Sequence, residues 1–228
     1  MKTIGLIGGM SWESTVEYYK IINEVVKTRC GGLHSAKCLL YSVDFDEIER
    51  CQASGEWEKS GRILGEAAKS LERGGADFIL ICTNTMHKVV KYIEDAVRIP
   101  VLHIAKATAD CIKKEKLHTI GLLGTKYTME QDFYKSKLEE SGLTVLIPDS
   151  SEREFVNKVI YEELCLGKIE PASKEIYHQI IRRLSERGAQ GIILGCTEIG
   201  LLVKQEETEI PLFDTTRIHA IEAVNVAL

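Results

Sequence analysis

The chain repeats itself. Residues 74–85 read GGADFILICTNT and residues 187–198 read RGAQGIILGCTE. With Gly75-Ala76 set against Gly188-Ala189, Thr83 falls opposite Cys196, Asn84 opposite Thr197 and Thr85 opposite Glu198. A second echo supports the first: Thr3-Ile4-Gly5-Leu6-Ile7-Gly8 returns as Thr119-Ile120-Gly121-Leu122-Leu123-Gly124. In each copy an apolar run ends in a small polar loop. The duplication restricts the chain to two related α/β halves. Halves facing each other would set Thr83 and Cys196 on opposite sides of one cleft, an arrangement suited to chemistry on both faces of a single carbon.

Short β-rich runs alternate with helical spacing along the whole chain. Strands are predicted at 3–7, 38–43, 78–82, 101–103, 119–123, 144–147, 191–194 and 211–213. Helices are predicted at 16–27, 60–73, 105–114, 129–141, 155–166 and 173–187. Gly74-Gly75 and Gly142 stand where helix C-caps are expected. The alternation predicts an α/β protein: two similar doubly wound parallel-sheet domains related by pseudo-two-fold symmetry, with the active site between them. Residues 1–102 with about 209–228 would form the first domain and 103–208 the second.

Four polar loops follow predicted strands and precede helical patterns: Gly8-Gly9-Met10-Ser11, Thr83-Asn84-Thr85, Gly124 to Thr128, and Cys196-Thr197-Glu198. Each can present backbone N–H groups to a substrate carboxylate. Helix capping is the plain alternative for any single loop, but four such loops in a duplicated chain favour a ligand. GLIGGMS matches neither dinucleotide nor Walker spacing, which sets nucleotides aside.

Cys196 is the sharpest chemical candidate. A thiol at a strand end facing a helix N-terminus is expected to favour its thiolate, against the alternative of a small buried apolar residue. Cys82 adjoins Thr83 and is expected to point to the opposite face, into the core. His87 follows the first polar loop and reads as a cap or a supporting donor. Seven cysteines without framework spacing fit a reducing, cytoplasmic setting. No cysteine or histidine spacing reads as a metal site. A net charge of −5 argues against nucleic-acid binding, no apolar run reaches membrane-spanning length, and the N-terminus reads as a strand rather than a signal peptide.

The motifs IGLIGGMS, TNTMH, GLLGT followed by a threonine, and GCTEI together resemble the aspartate/glutamate racemase family, over essentially the whole chain. The resemblance implies two similar α/β domains, a homodimer, an amino-acid substrate and no cofactor, with two facing cysteines removing and returning the Cα proton. By position, Cys196 matches the second cysteine. Met10, Asn84, Thr85, Thr125, Thr197 and Glu198 fall in substrate-contacting or site-lining motifs. Members typically read CNT where this chain has Thr83-Asn84-Thr85, so Thr83 replaces the first cysteine. The implied division of labour is abstraction by Cys196 and reprotonation assisted by Thr83. Some relatives hold the substrate side-chain carboxylate with an arginine and a lysine; Gln52 stands near the first place and Cys165 at the second. L-Aspartate or L-glutamate is the first substrate expectation, with a broader amino-acid range as the alternative. Lys126 and Lys168 are cationic alternatives that read more simply as solvated lysines. A single-cysteine decarboxylase or isomerase of the same superfamily, and a non-catalytic amino-acid sensor, are the other readings.

Overall fold

The computed structural model describes residues 1–228. The polypeptide divides into two compact units, Met1–Ile104 with His219–Leu228, and Ala105–Ile218. The first unit holds β1 (Ile4–Gly8), α1 (Trp12–Cys30), β2 (Cys38–Ser42), α2 (Phe45–Ser54), α3 (Trp57–Arg73), β3 (Phe78–Ile81), α4 (Val90–Glu94) and β4 (Val101–Leu102). Helix α5 (Ile104–Lys114) opens the second unit, followed by β5 (Thr119–Gly124), α6 (Lys126–Glu130), α7 (Asp132–Glu139), β6 (Thr144–Leu146), α8 (Ser150–Glu162), α9 (Pro171–Glu186), β7 (Ile192–Gly195), α10 (Ile199–Leu202) and β8 (Leu212–Asp214). Helix α11 (Thr215–Ala227) begins in the second unit and re-enters the first at His219. The sequence reading places that return near residue 209; strand β8 pairs with β7 instead, which keeps the chain in the second unit through Ile218.

The two sheets share one topology. Their orders are β2-β1-β3-β4 and β6-β5-β7-β8, and every pairing is parallel. The duplication seen in the sequence is thus a duplication of strand order. Parallel strands joined by crossover helices are covered on both faces and read as continuous apolar runs. β1, β3 and β7 obey this rule, buried at every residue.

Alternation along the strands of the first unit sorts its core into two layers. Ile4, Leu6, Phe78 and Leu80 pack with Tyr18 and Ile22 of α1 and with Ala220 and Val224 of α11. Ile7, Ile79 and Ile81 pack on the other face with Ile48 of α2, Leu64 and Ala68 of α3, and Ile93 of α4. In the second unit Ile120, Leu122, Ile192 and Leu194 are buried, as are Tyr134, Val156, Tyr177 and Leu184 from the helices.

Helix starts are set by caps. Ser11 accepts from the Ser14 amide, Asp44 from Asp46, Thr125 from Thr128, and Asp149 forms a capping box with Glu152. The single helix expected at 129–141 is two, because Gln131 is extended between α6 and α7. The helix expected at 155–166 stops at Glu162, continues as a 3₁₀ turn over Leu164–Leu166, and ends at left-handed Gly167 (φ 71°). Helices α2, α4, α10 and α11 match none of the predicted helix ranges.

Two buried histidines lock the first unit. His219 Nε2–H donates to Leu102 O (2.8 Å), which leaves Nδ1 to accept from Tyr18 O–H (2.8 Å). Burial pushes its pKa down to about 3. His87 lies 6.1 Å away, ring to ring, and burial, with His103 and His219 beside it, holds its pKa well below the usual histidine range. Both are neutral when folded and free to charge when unfolded, near pH 6.5. Their stabilisation is therefore complete above that pH and is lost as pH falls below it. For His219 the loss is about 1.4 kcal/mol per pH unit until its folded pKa is reached. Urea unfolding at several pH values is expected to show this slope, and His219→Gln to flatten it by one proton's worth.

Candidate active site

The polar loops sit where the central strands end. In the first unit β1 runs into Gly8-Gly9-Met10-Ser11. A side chain at Gly9 (φ 90°) would place its Cβ 2.3 Å from Val43 O, so the loop requires glycine there. The Gly9 amide donates to Thr15 Oγ1 (2.9 Å), and Ser11 caps α1. The Met10 side chain is buried in the layer containing Ile7, Ile48 and Met86. Gln52, on α2, is also buried and donates from Nε2 to Met86 Sδ (3.1 Å).

Strand β3 delivers Thr83, Asn84 and Thr85, all buried. Thr83 N–H donates to Ile81 O (2.8 Å), turning the chain sharply at the strand end. His87 then fixes the loop from behind. Its Nε2 accepts from the Ile104 amide (3.2 Å), so the proton is on Nδ1, which donates to Thr83 O (2.8 Å). His87 is thus the supporting donor of the two roles the sequence leaves open. Cys82 lies in the opposite layer with Ile4 and Leu80, and burial raises its pKa far above the usual thiol value. Its place in the core follows the strand alternation.

In the second unit β5 ends at Thr125, whose Oγ1 accepts from the Thr128 amide (3.3 Å). Strand β7 ends at Gly195, directly opposite Gly124. A Cβ on Gly195 would meet Leu123 O at 2.8 Å, so close strand approach demands glycine before Cys196. The loop Cys196-Thr197-Glu198 is buried. Glu198 Oε2 receives two donors: the Cys196 thiol (2.9 Å) and Thr197 Oγ1 (2.9 Å).

This contact adds to the larger effect of burial. Burial, the Glu198 carboxylate and nearby Cys165 all push the Cys196 pKa well above the ordinary thiol value. The sequence reading expected a thiolate stabilised by a helix N-terminus. That helix, α10, has four residues, and a carboxylate stands at its start, so the expectation is reversed. The resting sulfur is a thiol held by an anion.

A fifth polar loop went unread. β8 ends in Asp214-Thr215-Thr216 at the head of α11. Thr215 Oγ1 donates to Leu194 O (2.8 Å) and Thr216 Oγ1 to Thr197 O (3.3 Å), clamping the strand and loop that carry Cys196. Asp214 Oδ1 accepts from the Thr216 and Arg217 amides (2.9 and 3.1 Å). An Asp-Thr-Thr run after a predicted strand is a helix-start signal that would have found it. Among the whole chain's buried polar side chains none is a lysine or arginine. No group of three or more His, Cys, Asp or Glu side chains is placed to hold a metal ion, and no helix is long and apolar enough to cross a membrane.

Duplicated parallel α/β units, with a buried thiol and a buried threonine at equivalent strand ends, define a protein of the two-domain racemase class. The chain belongs to the Asp/Glu/hydantoin racemase family, whose model matches residues 7–223. It is an amino-acid racemase of that family, an isomerase. Along 99% of its length it is 25% identical to the broad specificity amino-acid racemase RacX of Bacillus subtilis, covering 98% of that protein. A crystal structure from Yersinia pestis, described provisionally as an Asp/Glu racemase, is 56% identical with a TM-score of 0.92, covering 100% of this chain and 99% of that one. An aspartate racemase homologue from Pyrococcus horikoshii OT3 is 38% identical with a TM-score of 0.86, over 100% and 99% of the respective chains.

Removing the negative charge beside the sulfur should ease its ionisation. Titrated by ultraviolet thiolate absorbance, Glu198→Gln is expected to ionise Cys196 at lower pH than the parent protein, with Cys196→Ser identifying the signal. An unchanged or higher pKa would show that the carboxylate does not govern the thiol.

Proposed function

We propose that the chain racemises amino acids without a cofactor, with Cys196 taking the Cα proton of the L-enantiomer and Thr83 assisting reprotonation from the other face. The observation that carries this reading is the Cys196 thiol donating to Glu198 at 2.9 Å in a buried loop. Its proton already has an acceptor. Transfer to Glu198 leaves a thiolate, which takes the Cα hydrogen and becomes a thiol again. The raised resting pKa makes that transfer uphill. An arriving substrate ammonium group favours it by adding positive charge nearby.

Thr83 is a weak base near neutrality, yet its hydroxyl can donate a proton or orient a water that does. The equivalence of Thr83 and Cys196 at the ends of β3 and β7 supports giving them opposite faces of one carbon. Amides of the buried loops, with Asn84, Thr85, Thr125 and Thr197, would stabilise the charge that develops on the substrate carboxylate as Cα loses its proton.

L-Aspartate and L-glutamate are the substrates that the family and the 38% identical homologue favour. The second reading is a broader range. It is favoured by neutral Gln52 and by the absence of lysine and arginine from the buried polar side chains, since an amide offers a carboxylate no charge. The proposed reading includes a cytoplasmic location and a homodimer.

Chiral analysis of a panel of L-amino acids in heavy water tests the activity. The expected result is deuterium at Cα in both enantiomers, with exchange from the L-side reduced roughly 10²–10⁴-fold in Cys196→Ala. Exchange equally preserved from both sides in that variant would refute the assignment. Racemisation has an equilibrium constant of one, so asymmetry appears in separate kcat and KM values rather than in their ratio. Thr83→Cys is expected to raise kcat from the D-enantiomer; no gain would remove Thr83 from the acid role.

A further inference from the structure

Two buried imidazoles of the first unit have no counterpart in the second. With Gly75-Ala76 set against Gly188-Ala189, His87 falls opposite Gly200. Val101 pairs with Ile79 as Leu212 pairs with Ile192, so β4 matches β8 in register, and Ile104 at the head of α5 matches Thr215 at the head of α11. Four residues on, His219 of α11 matches Thr108 of α5. The echo of Thr3–Gly8 in Thr119–Gly124 likewise sets Tyr18 against Tyr134. Each tyrosine is buried and meets the matching helix position of its own unit, Tyr18 the His219 ring and Tyr134 the Thr108 side chain. The duplicated fold therefore stands with a glycine and a threonine at these places. The histidines serve something particular to the first unit.

There they complete a run of hydrogen bonds in which every donor points the same way. Tyr18 O–H donates to His219 Nδ1, and His219 Nε2–H to Leu102 O, each at 2.8 Å. Two residues along, the Ile104 amide donates to His87 Nε2 (3.2 Å), and His87 Nδ1–H to Thr83 O (2.8 Å). All four ring nitrogens are used. The two rings stand 6.1 Å apart, and the His103 ring lies 4.5 Å from that of His87. Tyr18, His87, Ile104 and His219 are all buried. Apolar residues of the same shape would pack as well at lower cost, so the bonds contribute fixed geometry more than stability. The run ends on the carbonyl of Thr83, the residue that stands where the other unit has Cys196.

We propose that His87 and His219 are positioning residues for Thr83: braced by α1, α11 and β4, they hold its strand-end carbonyl so that its hydroxyl keeps a fixed direction. Neither ring touches the reacting atoms, and no proton travels along the run. A threonine hydroxyl is a weak acid whose usefulness depends on alignment with the atom it serves. Cys196 has other supports, the Glu198 carboxylate on its sulfur and the Thr215 and Thr216 hydroxyls on the carbonyls of Leu194 and Thr197. The proposal rests on the functional reading above for what Thr83 does, and on the hydrogen bonds alone for what holds it.

An L-amino-acid substrate in heavy water reports both faces at once. Deuterium in recovered L-substrate records Cys196 acting alone, and D-product records transfer from the Thr83 side. Amide replacements separate the ring nitrogens, because an asparagine amide takes the place of Nδ1 and a glutamine amide that of Nε2. His87→Asn keeps the donor to Thr83 and His87→Gln loses it. His219→Gln keeps the donor to Leu102 and His219→Asn loses it. The ratio of D-product to deuterated L-substrate is expected to fall about 10-fold in His87→Gln and His219→Asn, the effect of one lost hydrogen bond, and to stay near the parent's in His87→Asn and His219→Gln. Packing alone predicts the larger glutamine to serve better at both positions. That order, or one ratio throughout the folded variants, overturns the proposal. The two pairs are independent, so a variant that circular dichroism shows unfolded leaves the other pair to decide. Backbone hydrogen exchange read by mass spectrometry needs no turnover. His219→Asn is expected to speed exchange across Thr83–Val89, which it does not touch, and not across Cys196–Leu202. An inert parent protein that shows this effect sinks the catalytic reading alone, and an active one without it sinks the positioning alone.

Discussion

A parallel strand buried on both faces has no place for a polar side chain until it ends. This constraint organises both units. The residues of β1, β3 and β7 are entirely buried, and polar side chains are displaced to the loops where those strands stop. There Gly9 turns at positive φ and Gly195 packs against the neighbouring strand, so neither can carry a side chain. The fold concentrates hydroxyls and amides at strand ends in both units, with a thiol in the second only.

Within that frame the two halves have diverged in chemistry while keeping topology. One β-strand ends in a threonine whose carbonyl is tied down by neutral His87; its equivalent ends in a cysteine whose proton is tied down by Glu198. His87 fixes a backbone, whereas Glu198 touches the sulfur itself and helps keep it protonated. The threonines at the head of α11 add a third support, holding the Cys196 loop through backbone carbonyls.

Much of this was legible in the residues. All eight strands were visible because parallel strands read as short apolar runs bounded by glycine and polar turns, and the repeated GA-x-x-I-x-x-C/G pattern exposed the equivalence of β3 and β7. Helix α11 was missed because its apolar and polar residues are not sorted onto opposite faces, so periodicity could not separate it from a loop-rich tail. Helices α4 and α10 are too short to show a period at all. The sign of the Cys196 shift was missed for a different reason. The sequence places a carboxylate two residues from the sulfur but cannot say which way it points, and only the folded loop shows the thiol donating to it. His87 was seen as a candidate, but the partner that fixes its tautomer, the Ile104 amide, is remote in sequence.

The carboxylate-bound thiol has a consequence outside turnover. Peroxide and alkylating agents react with the ionised form of sulfur. A buried, protonated sulfur beside a carboxylate is therefore a poor target for both. Its reactivity toward either reagent then reads out how firmly burial and the Glu198 contact keep the proton on sulfur.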